Sequence, residues 1–237
     1  MTIASKHQLA EVLCGFWFSS EQNPWDSTFF GKFFELIKND GYTEKEEQQG
    51  YQVKFELKNA EIEKPTAQTD KLEPRMLFKN PEKNTAILMA SNYISFHKLP
   101  PYTSWEILLE EQIKPSLVHY NEIGLGKGLL QVQMLYLNSY NFKKETNLSD
   151  TFSFLPAVEK FRIGKERSLL FQSQYELDPN LLLQIKLNSI PIIDNNKQVF
   201  LECSCMAYNK TGDENWLKIA SQAHDTNNKV FNTITKK

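Results

Sequence analysis

This chain is short of the residues from which recognisable active sites are usually built. Its 237 residues include only three cysteines, four histidines and nine glycines. Three cysteines are an odd number without a framework spacing, and Cys203 and Cys205 alternate along one extended segment, too poorly aimed at each other for a disulfide. Reduced, buried thiols in the cytoplasm are expected. The histidines, His7, His97, His119 and His224, belong to no HExxH pair, and no zinc-ligand spacing accompanies Cys203-x-Cys205, so neither a metal nor a cofactor is expected. No apolar run approaches the roughly 18 residues of a membrane-spanning helix, and the first residues lack a long apolar signal region. Charge of one sign is missing as well. Twenty-seven basic against twenty-nine acidic residues give no general attraction to nucleic acid or to an anionic membrane.

Catalytic motifs are equally absent. Gly124-Leu-Gly-Lys-Gly128 has the look of a phosphate loop, but its lysine is followed by glycine and the segment leads into a strand, so it reads as a turn. No serine sits in GxSxG. Glu110 and Glu111 are adjacent on a helix and point apart, which makes them a solvated face rather than an acid–base pair. Together these absences favour a binding role over catalysis.

What the chain has in quantity is aromatic side chains: 16 Phe, 9 Tyr and 4 Trp. Leu9 to Ser19 alternates as a strand, with Val12, Cys14, Phe16 and Phe18 on one side and Leu13 and Trp17 on the other. Asp26-Ser27 caps a helix whose stripe is Phe29, Phe30, Phe33, Phe34 and Ile37, and Gly41 ends it. Tyr51 to Leu57 is a short strand, and the polar stretch 58–74 is expected to be a flexible loop. Arg75 to Lys79 and Thr85 to His97 are strands. The second of these is expected to place Leu88, Ala90, Ile94 and Phe96 on one face and Ser91, Tyr93, Ser95 and His97 on the other.

Leu99 to Leu117 carries the strongest local signal. Two prolines precede Thr103-Ser104-Trp105-Glu106, in which Thr103 and Glu106 have the spacing of a capping box. Trp105, Leu108, Leu109, Ile113 and Leu117 form the apolar side of the helix that follows, and Pro115 should kink it or end its regular hydrogen bonding. Leu129 to Asn138 is a strand. The segments 158–163, 169–177, 181–190 and 198–208 read as a meander, and a helix closes the chain over 213–235. The predicted fold is a single α+β domain over 1–237, a curved, mostly antiparallel sheet with about three helices packed on one face.

The patches Leu9-Ala10-Glu11-Val12, Pro101 to Glu106, Leu135-Tyr136-Leu137-Asn138 and Ala223-His224 through Ile234 resemble those of a sporadically distributed bacterial family of similar length, whose members are mostly uncharacterised. Where that family's strand carries arginines beside its Tyr and Asn, this chain has Leu135 and Ser139. The resemblance implies the fold and, by its sporadic distribution, an accessory or defence-type role such as phage defence. The expected function is recognition of another protein. A small-ligand pocket between sheet and helices is the first alternative, and a nucleic-acid-binding or nucleic-acid-processing protein the second. The binding candidates are Tyr93, His97, Tyr102, Trp105, Tyr136 and Asn138, grouped around the capping box. Arg162, Lys165 and Arg167 are the candidates for any nucleic-acid contact. Self-association is left open.

Overall fold

The computed structural model describes residues 8–48, 51–55, 67–71, 73–143, 146–155, 168–191, 196–210, 212 and 215–235. Nine strands form one open antiparallel sheet. In chain order its members are β1 (Gln8–Phe18), β2 (Glu44–Gln48), β5 (Arg75–Asn80), β6 (Thr85–Ala90), β7 (Tyr93–Lys98), β8 (Leu129–Lys143), β9 (Leu169–Asp178), β10 (Leu181–Pro191) and β11 (Asn196–Tyr208). Across the sheet they run β2-β5-β6-β7-β1-β8-β11-β10-β9. The remaining pair, β3 (Tyr51–Phe55) and β4 (Ala67–Lys71), makes a separate two-stranded sheet. The helices are α1 (Thr28–Ile37), a continuous α2 (Trp105–Leu108), π-turn (Leu109–Ile113) and α3 (Lys114–Glu122), and α4 (Trp216–Ile234). This is the predicted α+β architecture.

All three helical bodies cover one face of the sheet. Val12, Cys14, Phe16 and Phe18 of β1 meet Phe30, Phe33 and Ile37 of α1, Trp105 and Ile113 of the central helix, and Ile219, Ala220 and Ala223 of α4. A second apolar cluster joins β8, β10 and β11 to Phe152 and Ile234 at the far end of α4. Each helix uses the stripe its spacing presents. Two buried amides tie these helices to the sheet. Asn227 Nδ2 donates to Met134 O and Cys203 O at 2.9 and 2.8 Å, and Gln112 Nε2 donates to Ala86 O at 3.0 Å.

Local chemistry explains the helix boundaries and corrects one expectation. Of the Asp26-Ser27 pair, Asp26 caps α1: its carboxylate accepts from the Thr28 hydroxyl and from Thr28 N–H at 2.8 Å, and these two contacts, the hydroxyl first, hold its pKa below the usual carboxylate range. Gly41, at φ +96°, closes the turn after α1. At α2 the cap is Ser104, whose hydroxyl accepts from Ile107 N–H at 3.3 Å, so the Thr103–Glu106 capping box does not form. Thr103 is one residue too early, outside the extended residue that enters the helix. Pro115 has no N–H to give Glu111. The ladder widens just before it, with Lys114 N–H donating five residues back to Leu109 O, and the result is the π-turn.

Two strand expectations change. Thr85 to His97 is a hairpin turning at Ser91-Asn92, not one long strand. The turn reverses the face parity. Leu88 pairs with Ser95 and Ala90 with Tyr93, so Leu88 and Ala90 share the face of Tyr93, Ser95 and His97. The stretch 58–74 contains β4, which pairs with β3. Glu44–Gln48 is the β2 edge, pairing with β5. The expected strand over 158–163 lies outside the described residues.

Candidate functional site

The six binding candidates do not share a surface. Tyr102, Trp105, Tyr136 and Asn138 converge on the helix-covered side of the sheet. Tyr93 and His97 point to the opposite side, so they do not surround the start of α2 as expected. The reason is register: β7 pairs with β1 through Leu13↔His97 and Trp17↔Tyr93, which puts both residues on the Leu13–Trp17 face.

On the helix side, a pocket of about 360 Å3 opens between α2, β8 and α4. Its floor comes from Tyr136 and Asn138 of β8, and its walls from Tyr102, Trp105 and His224. Leu9 reaches it because β1 is irregular between Leu9 and Glu11 where it pairs with Asn138 and Leu137. The extra residue there turns Leu9 onto the same face as Val12, as a β-bulge does. The Trp105 ring stacks on the His224 imidazole at 4.9 Å and 15°. Tyr136 meets His224 edge-on at 6.2 Å, and Tyr102 meets Tyr136 at the same distance.

The polar groups of the pocket are set by these contacts. His224 is 9% exposed. Its Nε2 lies 3.1 Å from Asn228 Nδ2 and its Nδ1 3.0 Å from Asp225 Oδ1. Burial pushes the Tyr136 hydroxyl well above the ordinary tyrosine value, and the neighbouring Tyr102 adds to the effect. Burial raises Tyr102 as well. Glu106 stands exposed at the rim, held below the usual carboxylate range by its own backbone N–H and then by the Ser104 hydroxyl. At neutral pH the pocket therefore offers stacking surfaces and two protonated phenols, with one carboxylate at its mouth.

The sequence puts His224 within the closing helix, over 213–235, and in none of the candidate sites. The signal available was the interruption of the apolar stripe of α4 by His224, Asn227 and Asn228. A polar residue on a buried stripe needs a partner, and here the partners are the pocket and the sheet.

A second cavity, of about 390 Å3, lies on the other side of Tyr102, between the proline turn and the end of β5. Tyr42, Asn80, Lys98 and Gln112 are among its lining residues. Burial pushes the Tyr42 hydroxyl up to about 12.

The uncovered face carries a different arrangement. His97 Nδ1 lies 2.6 Å from Glu11 Oε1, and its Nε2 lies 2.8 Å from Ser95 Oγ. The order is that of a hydroxyl, an imidazole and a carboxylate in a nucleophilic relay. Ser95 is 0% exposed, however, which closes its hydroxyl to any acyl group. Tyr93 lies over the neighbouring glycine of β1, where a Cβ on Gly15 would come 2.9 Å from the Tyr93 hydroxyl. Burial pushes that phenol up to about 12, a rise opposed in part by the Ser95 hydroxyl. The relay serves to satisfy polar groups in the middle of the sheet.

Arg162, Lys165 and Arg167 lie outside the described residues. Among the described residues, no three His, Cys, Asp or Glu side chains group as metal ligands, and no helix is long and apolar enough to cross a membrane.

Fold and site together define an open antiparallel α+β sheet with an aromatic pocket beneath its helices. Compared with known proteins, the chain matches no family model, no curated protein and no solved structure.

Proposed function

We propose that this chain is a binding protein that takes a small planar molecule into the pocket between α2, β8 and α4. One observation carries the reading: four side chains from distant parts of the sequence, Tyr102, Trp105, Tyr136 and Asn138, meet His224 around one concavity. Its volume falls at the lower end of small-molecule sites, and its mixture of aromatic walls with a few polar tips is what such sites use. The chemistry favours an aromatic or heterocyclic ligand with hydrogen-bonding edges. Phenol and amide groups would read those edges, while Trp105 and Phe231 cover its apolar surface. Recognition of another protein is not supported by a comparable convergence on this face, and it becomes the secondary reading. The three free, buried cysteines support a cytoplasmic location. An accessory, defence-type role is supported by the bacterial resemblance alone.

The test is native mass spectrometry of the full chain purified without denaturant, followed by thermal unfolding with indole and with free nucleobases. A small-molecule adduct that dissociates on denaturation is expected, or a saturable stabilisation by a probe, reaching about 2.7 kcal/mol at a hundredfold excess over Kd. Asn138→Leu should abolish either signal. Absence of both from the wild-type chain would reject the reading.

A further inference from the structure

Gln112 is buried at 4% exposure, yet half of its amide has nothing to bind. Its Nε2 donates to Ala86 O at 3.0 Å and to His97 O at 3.5 Å, so both amide hydrogens are taken by the strands. A flip of the amide would set its oxygen against those two carbonyls, so the orientation is fixed. Oε1 accepts no hydrogen bond from any described residue. The π-turn has one residue more than an α-turn, and it keeps the consecutive Gln112 and Ile113 both buried. Ile113 enters the apolar core, and Gln112 joins the wall of the cavity between the proline turn and the end of β5.

The rest of that wall is held in place by its own hydrogen bonds. Tyr42, 4% exposed, brings its hydroxyl to 3.5 Å from Thr85 Oγ1. Asn80 Nδ2 donates to Asp40 O at 3.0 Å, and Asn80 Oδ1 accepts from Lys83 N–H at 3.1 Å, which ties the turn between β5 and β6 to the turn after α1. Lys98 Nζ donates to Lys83 O across the same rim. The lining residues come from three stretches, 40–42, 80–85 and 98–116, each described without a break. At about 390 Å3 the volume lies in the lower part of the range for small-molecule sites.

Charge narrows the class of ligand. Asp40, Glu82 and Glu111 stand around the cavity with Lys83 and Lys98, three carboxylates and two ammonium groups. A free anion would meet the carboxylates, and a free cation the ammonium groups. Gln112 Oε1 calls for a donor, whereas the Lys98 ammonium offers donors. A ligand hydroxyl answers both, because one oxygen donates and accepts. Tyr102, Pro101 and Ile107 add an apolar side against which the C–H face of a ring can lie.

We propose that this cavity binds a small uncharged polyhydroxylated molecule, a monosaccharide or cyclic polyol, through Gln112 Oε1, the Tyr42 and Thr85 hydroxyls and the Lys98 ammonium. It is a second site, separated from the aromatic pocket by a wall that both share, Tyr102 and Ser104.

The test is a titration of the full chain, labelled with nitrogen-15, with glucose, galactose, ribose and myo-inositol in turn, following the side-chain amide signals of Gln112 and Asn138. At least one of these compounds should shift the Gln112 amide saturably, and by more than the amide of Asn138 in the aromatic pocket. Tyr42→Phe and Thr85→Val each remove one hydroxyl and keep the shape of the side chain. Each should weaken that Kd about five- to tenfold in a chain of unchanged circular dichroism. Tetrahydropyran, a sugar-like ring without hydroxyls, should give no saturable shift. No saturable shift from any of the polyols, a larger shift at Asn138, an affinity untouched by both variants, or acetate or ethylammonium binding at Gln112 in their place overturns the proposal. Indole and nucleobases are read at Asn138, so failure of the aromatic pocket is scored separately.

Discussion

Phe16 and Trp17 are neighbours in β1, yet they belong to two differently organised faces. Phe16 is fully buried beneath the helices, packing edge-on against Phe96 at 5.8 Å and against Trp216 at 5.7 Å. Trp17 lies on the other side, half-exposed, with Tyr93 at 4.3 Å. The covered face carries two apolar clusters beneath the helices, and a pocket between α2, β8 and α4. The uncovered face satisfies itself sideways, through ring contacts along the sheet and the Glu11–His97–Ser95 chain. The comparison teaches that a layer of helices creates the concavity, whereas a bare sheet face can place reactive-looking groups together without making them reachable.

Substitutions can break or sharpen this contrast. The largest difference is expected at the neighbouring pair. Phe16→Ala should cost about 3–5 kcal/mol in urea denaturation, against about 1–2 kcal/mol for the half-exposed Trp17→Ala. Equal losses would mean the uncovered face is packed as tightly as the core. Next comes Asn227→Ala, which removes two buried hydrogen bonds to strand carbonyls and should lower stability by about 2–4 kcal/mol. A loss near zero would show that α4 is held by its apolar stripe alone. On the uncovered face, His97→Gln should cost about 1–2 kcal/mol by breaking the link between Glu11 and Ser95.

At the rim of the pocket, Ser104→Ala should cost about 0.5–2 kcal/mol, while Thr103→Ala should stay within about 0.5 kcal/mol. The reverse order would restore Thr103 as the cap. The last contrast concerns pH. Tyr42 on the covered side and Tyr93 on the uncovered side both have hydroxyls pushed from 10.0 up to about 12 by burial. A phenol whose folded pKa exceeds its unfolded value contributes stability that is complete below pH 10.0 and declines as pH rises toward about 12. Phenolate absorbance should therefore lag in the native chain, and the urea midpoint should fall across that window. A midpoint that holds steady there would show the two phenols are not protected.

Much of the architecture was legible because it rests on local periodicity. The alternation of β1, the phenylalanine stripe of α1, the glycine that ends it and the last helix all follow from spacing. The errors fall where one residue changes a face. Ser91-Asn92 holds no glycine or proline, so the hairpin between β6 and β7 went unseen and Leu88 and Ala90 were put on the wrong side. Ser104 and Thr103 are chemically similar, and only the backbone angle at Ser104 separates the cap from its neighbour. Four of the six binding candidates meet in one pocket. Tyr93 and His97 were joined to them by nearness in sequence, although a sheet stands between.

By itself the sequence determined most of the strands and helices and the apolar stripe that each helix presents. Those properties depend on side chains a few positions apart. Tertiary structure alone decided which residues look into the pocket, because strand register carries a period of two and a single turn or bulge inverts it. Leu9 reaches the pocket through such an irregularity, Asn138 through its pairing with β1, and His224 through the docking of a helix that begins nearly eighty residues after Asn138.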